Sequence, residues 1–366
     1  MSMMRRDFAA GLLAAPLATR IARASAPLLF AQVIELTGPA GRAGDAWRNG
    51  VEMAVQEINA AGGVAGRSLQ MDTFNSDNGR AEVHRALQGD VFALLGPLTA
   101  GEVRAAAPMA RAARVVEIVA ADAADAAAAG GRIFEAGPGQ AVRLPRLAAW
   151  LHDEAGARRV SVVWSGGESG RAGHDLLVRE LRARGIDIAS EHAATPSAGA
   201  EVTGVARAAP DAAVILLGGP DCVLFLREAR RQALPTRLVG DATLAAPRVL
   251  AQAGSAAEGV RCQLGFAAEA PEVAAFRGRY AAMFKQDPDE FAAEGYTAVG
   301  MLAAGVARMG RVDRLGLADA LHGPGLKAGA PGIILDSSWN AAGEMDRATF
   351  MVEVRQGHAA VLRTLG

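Results

Sequence analysis

Apolar runs of strand length alternate with amphipathic helical segments along almost the whole chain, in two successive series. In the first, strands are predicted at 28–35, 68–75, 91–95 and 115–119. Helices at 45–60 and 80–88, and one starting near Glu102, lie between or beside them. Val51, Ala54, Val55 and Ile58 form the apolar face of the first helix, and Gly62-Gly63 stops it. In the second series, Leu144, Leu147, Ala148 and Leu151 mark a helix face ahead of a strand at 159–164. Further strands are predicted at 187–191, 212–217, 237–239 and 260–266. Helices are predicted at 172–184 and from Cys222 onward, where Phe225, Leu226 and Ala229 continue the face. A long helix at 290–309 and short strands at 333–335, 350–355 and 359–362 close the chain. Such alternation, with turns of a few residues, argues for an α/β fold of two doubly wound, Rossmann-like lobes with mostly parallel sheets. Two facing lobes of this kind imply a hinged cleft.

Residues 91–107, VFALLGPLTAGEVRAAA, show what the strand ends can do. The apolar strand stops at Gly96-Pro97, and Thr99 or Gly101 can cap the helix that follows. A strand, a tight turn and a helix N-terminus leave backbone N–H groups beside a positive dipole end. In an open α/β sheet, ligands bind in the crevice at the carboxyl ends of the strands. The same residues are equally consistent with a plain βα turn.

Bulk properties narrow the function. A chain of 366 residues, 51% hydrophobic and 21% charged, suits a globular protein of roughly two domains. A net charge of −1 provides no footprint for nucleic acid. No apolar run approaches the roughly 20 residues of a membrane span. The two cysteines, Cys222 and Cys262, have no metal-ligand spacing, and the six histidines form no HExxH pair, so neither a metal nor a cofactor is expected. In an exported protein the cysteines could pair or stay free. Gly38, Gly41 and Gly44 give GxxGxxG rather than the dinucleotide fingerprint GxGxxG. Gly167-Glu168-Ser169-Gly170 is not a GxSxG nucleophile elbow, and an enzyme is not expected.

The N-terminus reads as a targeting segment, residues 1–24. Arg5-Arg6 and Phe8 precede an apolar stretch at 9–18, and Ala22-Arg23-Ala24 offers a cleavage site before Ser25. The paired arginines resemble a twin-arginine signal, with an ordinary secretory signal as the alternative. Either implies export, in a bacterium to the periplasm. No cysteine follows the signal, so a lipoprotein is not expected.

Several stretches, in order, resemble the leucine/isoleucine/valine-type substrate-binding proteins of ABC importers. They are TGPAGRAGDAWRNGVEMAVQEINAAGGVAGRSLQ (37–70), LLGPLTAGEVRAAAPMA (94–110), DAAVILLGG (211–219), FLREARRQALPTRLVGD (225–241), AEGVRCQLGF (257–266) and GYTAVGMLAAG (295–305). The resemblance implies a type I periplasmic binding protein with two lobes joined by three chain crossings. Lobe I would hold 27–138 and 267–340, and lobe II 139–266 and 341–366. A small organic ligand would lie between them, and the closed form, a monomer, would dock on a membrane permease. The same fold also serves ligand sensors that act on a receptor partner.

The resemblance also implies where the ligand would touch. In lobe I these are Leu98, Thr99 and Ala100 in the first turn, and Ala120, Ala121 and Asp122 in the second. In lobe II they are Ser169, Pro220, Asp221, Asp241 and Ala242. Trp47 and Tyr296 complete the set, each with core packing as its alternative. Asp122 and Asp221 could instead cap helices. Ala100 stands where the family commonly has a hydroxyl, Asp122 where it has a threonine, and Ala242 where it has the acid that pairs with a ligand ammonium. Two negative charges about 4 Å apart repel by several kcal/mol at an effective dielectric near 20. An aliphatic amino acid held in the family's usual way is therefore not expected.

Overall fold

The computed structural model describes residues 26–38, 40–76, 80–121 and 132–366. The expected targeting segment lies outside them. The first series forms β1 (Leu28–Ile34), α1 (Gly41–Ala60), β2 (Leu69–Asn75), α2 (Arg80–Leu87), β3 (Ala93–Leu95), α3 (Ala100–Ala112), β4 (Val116–Val119) and β5 (Ile133–Glu135). Its strands make one parallel sheet in the order β2-β1-β3-β4-β5. The central strands are buried on both faces, which is why they read as unbroken apolar runs.

The second series forms α4 (Gln140–Asp153), β6 (Arg159–Trp164), α5 (Glu168–Ala183), β7 (Asp187–Ala193), α6 (Gly199–Ala208), β8 (Ala212–Leu216), α7 (Gly219–Arg231), β9 (Arg237–Gly240), α8 (Pro247–Ala253) and β10 (Arg261–Leu264). The chain then returns to the first lobe with α9 (Ala274–Phe284), α10 (Glu290–Met309), α11 (Leu317–Leu321) and the hairpin β11 (Ser337–Trp339)–β12 (Met345–Arg347). That hairpin is tied to β5, whose Glu135 N–H donates to the Gly343 carbonyl and whose Glu135 carbonyl accepts from Trp339 Nε1. Finally β13 (Thr349–Arg355) and β14 (His358–Leu365) extend the second sheet, in the order β14-β13-β10-β9-β8-β6-β7. Pairing is parallel from β7 to β10 and antiparallel at β13 and β14. The chain thus passes between the sheets after β5, after β10 and between β12 and β13.

The structure differs from expectation at several places. Gly41, Gly44 and Gly170 read as loop, yet they lie in the first turns of α1 and α5, so both helices begin about four residues early. A Cβ on Gly44 would stand 1.8 Å from the Glu35 carbonyl oxygen, and one on Gly170 2.0 Å from that of Ser165. These glycines let the helix start against the end of the preceding strand. Residues 333–335 are not a strand. They are buried in turns closed by Ile333 N–H to Ala330 and Gly329 N–H to Ile333, and the strand follows at β11. An apolar run that short carries no reliable period. β5, α6, α8, α9, α11 and the β11–β12 hairpin lie beyond the expected series; β5, α8, α11, β11 and β12 are short, and α9 is weakly amphipathic. Cys222 and Cys262 are free and buried, and Cys222 Sγ donates to the Leu217 carbonyl. Burial pushes both thiols above their ordinary range.

Candidate functional site

A cavity of about 530 Å³ lies between the lobes. From the first lobe come Ala121, just past β4, and Pro288, Asp289, Glu290, Phe291 and Glu294 around the start of α10. From the second come Arg143 on α4, Asp241, Ala242 and Thr243 beyond β9, Pro247 at the start of α8, and Leu264 and Phe266 at the end of β10. Ala267, Ala268 and Glu269 line it where the chain leaves β10 for α9. Strand ends therefore deliver much of the wall, as a doubly wound sheet requires. The volume falls within the range of small-ligand sites.

Local chemistry fixes the polar groups. Asp241 caps the short 3₁₀ turn at 242–245, its Oδ1 accepting from Thr243 N–H at 2.9 Å. Asp289 caps α10 in the same way, accepting from Ala292 N–H at 3.0 Å, and burial raises its pKa. Arg143 and Glu290 come from different lobes, and their closest N···O distance is 3.6 Å. Behind them Arg347 is fully enclosed. It donates to the Gly265 carbonyl at 3.2 Å, burial pulls its pKa down, and the Glu294 and Glu290 carboxylates act to raise it. The chain crossings make room for these acids. A Cβ on Gly137 would stand 2.2 Å from Glu294 Oε1, and one on Gly265 2.2 Å from Glu290 Oε1.

Of the residues singled out in the sequence, Ala121, Asp241 and Ala242 line this cavity, and Ala120 is buried directly behind Ala121. Thr99 is the N-cap of α3 in a reciprocal capping box with Glu102, so it, and not Gly101, starts the helix. Leu98 and Ala100 flank it. A separate space of about 250 Å³ beside that turn is lined by Pro97, Gly101, Glu102, Ser76 and Arg80. Ser169 falls in the first turn of α5, and Pro220 and Asp221 sit in the first turn of α7 and are not part of the cavity lining. Trp47 is fully buried in the core between the lobe's helices and sheet. Tyr296 is also in the core, its hydroxyl donating to Glu57 and accepting from Arg279. Asp122 lies outside the described residues. Sequence reasoning missed Arg143, Glu290, Glu294, Phe266 and Phe291. The signal available was a charge within an apolar helix face: Arg143 adjoins Leu144, and Glu290 and Glu294 are one turn apart on α10.

Comparison with known proteins places this architecture. The chain resembles a candidate branched-chain amino acid ABC transporter protein from Rhodospirillum rubrum, at 26% identity and a TM-score of 0.77 over 92% of this chain and all of that one. A leucine-binding protein from Thermotoga maritima matches at 18% identity and a TM-score of 0.78 over 93% and 99% of the two chains. An ABC transporter solute-binding protein from R. palustris, solved with benzoate, matches at 20% identity and a TM-score of 0.72 over 92% and 96%. No curated protein sequence gives a significant match. Among the described residues no helix is long and apolar enough to cross a membrane. A family model described as periplasmic binding protein matches residues 30–359, nearly the whole chain, and the protein belongs to that family.

Proposed function

We propose that the protein is an exported solute-binding protein that captures a small organic ligand between its lobes and delivers it to the permease of an ABC importer. The observation that carries this reading is the cavity, because both lobes contribute to its wall. A ligand there completes its contacts only when the lobes are closed, so its binding energy favours closure. Lobe I would hold 27–138 and 267–340, and lobe II 139–266 and 341–366. Export would use the segment at 1–24, with Arg5-Arg6 favouring the twin-arginine route. The working form would be a monomer. The relatives' ligands, leucine in one case and benzoate in another, are small organic molecules. Ala100 and Ala242 argue against an aliphatic amino acid held in the usual manner.

A thermal-shift screen of the purified protein against amines, amino acids, amides and aromatic acids tests this. Ligand at 100 times its dissociation constant adds about 2.7 kcal/mol of stability. Ala242→Trp, which places an indole in the cavity, should abolish the shift while leaving a folded protein by circular dichroism. A shift that survives this substitution would put the ligand elsewhere and refute the assignment.

A further inference from the structure

We infer that the cavity is built for an organic cation, an amine or amidinium on a compact apolar body, and not for a carboxylate or a zwitterion. This rests on the cavity being the ligand site proposed above. Among the described residues its lining carries five carboxylates, Asp241, Glu269, Asp289, Glu290 and Glu294, against one guanidinium, Arg143. Counting the guanidiniums behind the wall, Arg347 facing Glu294, Arg277 at 3.3 Å from Glu269 and Arg42 acting on Asp289, the acids still outnumber the guanidiniums by five to four. Arg143, the one cation of the wall among the described residues, already faces Glu290. Low-dielectric walls strengthen such a field, and Phe266, Phe291 and Leu264 supply them.

A second observation concerns the donors that would receive an anion. The α3 N-terminus stands at the strand-end crevice of the first lobe, and two of its backbone N–H groups are engaged by its own capping box. Thr99 N–H donates to Glu102 Oε2 at 3.2 Å, and Glu102 N–H donates to Thr99 Oγ1 at 3.4 Å. The Glu102 carboxylate places a negative charge on that dipole end. In the second lobe, Ser165 Oγ at the end of β6 accepts from Gly218 N–H at the start of α7. Thus the protein's own groups engage part of the donor set at these two helix N-termini, while the cavity wall presents carboxylates. A cation gains from this arrangement, and a carboxylate meets repulsion from the acids of the wall.

The test is isothermal titration calorimetry with matched probes: isoamylamine, benzylamine and benzamidine; the acids isocaproate and phenylacetate; the zwitterions leucine and phenylalanine. The inference expects binding by at least one of the three cations, none by the acids, and loss of the signal in Ala242→Trp. Asp241→Asn keeps a residue able to cap the 242–245 turn, and should weaken the cation by about 10- to 100-fold, the worth of one charge-assisted hydrogen bond. Raising salt should weaken it further. Binding of an acid or zwitterion, abolished by Ala242→Trp, with all cations silent overturns the inference and leaves the solute-binding reading standing. Silence of every probe overturns the inference; the broader screen above then decides the solute-binding reading separately. Cation binding untouched by Ala242→Trp also overturns it.

Discussion

Glu117 gives the sharpest quantitative prediction. It lies in β4, in register with Leu94 of β3 on one side and Ile133 of β5 on the other. It is 0% exposed, and neither carboxylate oxygen has a hydrogen-bond partner among the described residues. Burial therefore raises its pKa from 4.5 to about 8. The folded state holds this group protonated at neutral pH, while the unfolded chain ionises it. A pKa raised on folding means that the stability associated with the proton is fully present below about 4.5 and is lost as pH rises to about 8. At about 1.36 kcal/mol for each tenfold change in the proton equilibrium, the full loss is about 5 kcal/mol. The slope is shallower near the two ends, so between pH 5 and pH 8 the expected loss is about 3.5 kcal/mol. Glu117→Gln removes the titration and keeps the shape. Urea denaturation of both proteins at pH 5, 6, 7 and 8, at constant ionic strength, isolates this one group, because all other titrations cancel in the difference. The variant should gain on the parent by about 1 kcal/mol or slightly more for each pH unit over that range. A constant difference from pH 5 to pH 8 would refute the assignment of Glu117 as a buried acid kept neutral by its surroundings.

Two further substitutions test the frame around the cavity. A Cβ on Gly295 of α10 would stand 2.3 Å from the Trp47 carbonyl oxygen of α1, so Gly295→Ala should force those helices apart and lower stability by about 3 kcal/mol, read by thermal denaturation. An unchanged melting temperature would show that the two helices are not held so closely. Thr99→Ala breaks the capping box and should lower stability by about 1 kcal/mol while leaving ligand affinity unchanged in calorimetry. A large loss of affinity at unchanged stability would make Thr99 a ligand contact and not a cap.

The fold was legible because its signals are local and repeated. The periods of β1 and of the α1 face, and the strand–turn–helix order around Gly96-Pro97, each need only a short window to be seen. Thr99 and Glu102 form a T-x-x-E pair, and the capping box they make is written in that spacing. The misreadings share one cause. Gly44 and Gly170 signal a turn when seen alone, and only the nearness of Glu35 and Ser165 in space makes them helix-starting residues. Residues 333–335 look like a strand because they are apolar, but it is burial against α10 and its neighbours, not sheet pairing, that uses their side chains.

The site was legible only where it is made of strand ends. Ala121 and Asp241 follow β4 and β9, and the rule that ligands gather at carboxyl ends of parallel strands is enough to find such positions. Arg143, Glu290 and Glu294 obey no such rule. They stand on two helices, α4 and α10, separated by well over a hundred residues, and meet because the chain crosses between the sheets three times. The crossings also determine which side chains can be there: Gly137 and Gly265 leave the space that the Glu294 and Glu290 carboxylates fill, and Arg347, arriving with the last crossing, faces both of them. Enclosed charges of this kind add little net stability even when paired, since desolvation offsets their attraction. Their consequence lies in the wall they build. The lining acids together, Asp241 beyond β9 and those around the start of α10, outnumber the guanidiniums and set the sign of the field in the cavity, and that sign separates an amine from an acid of the same shape more sharply than any apolar contact could.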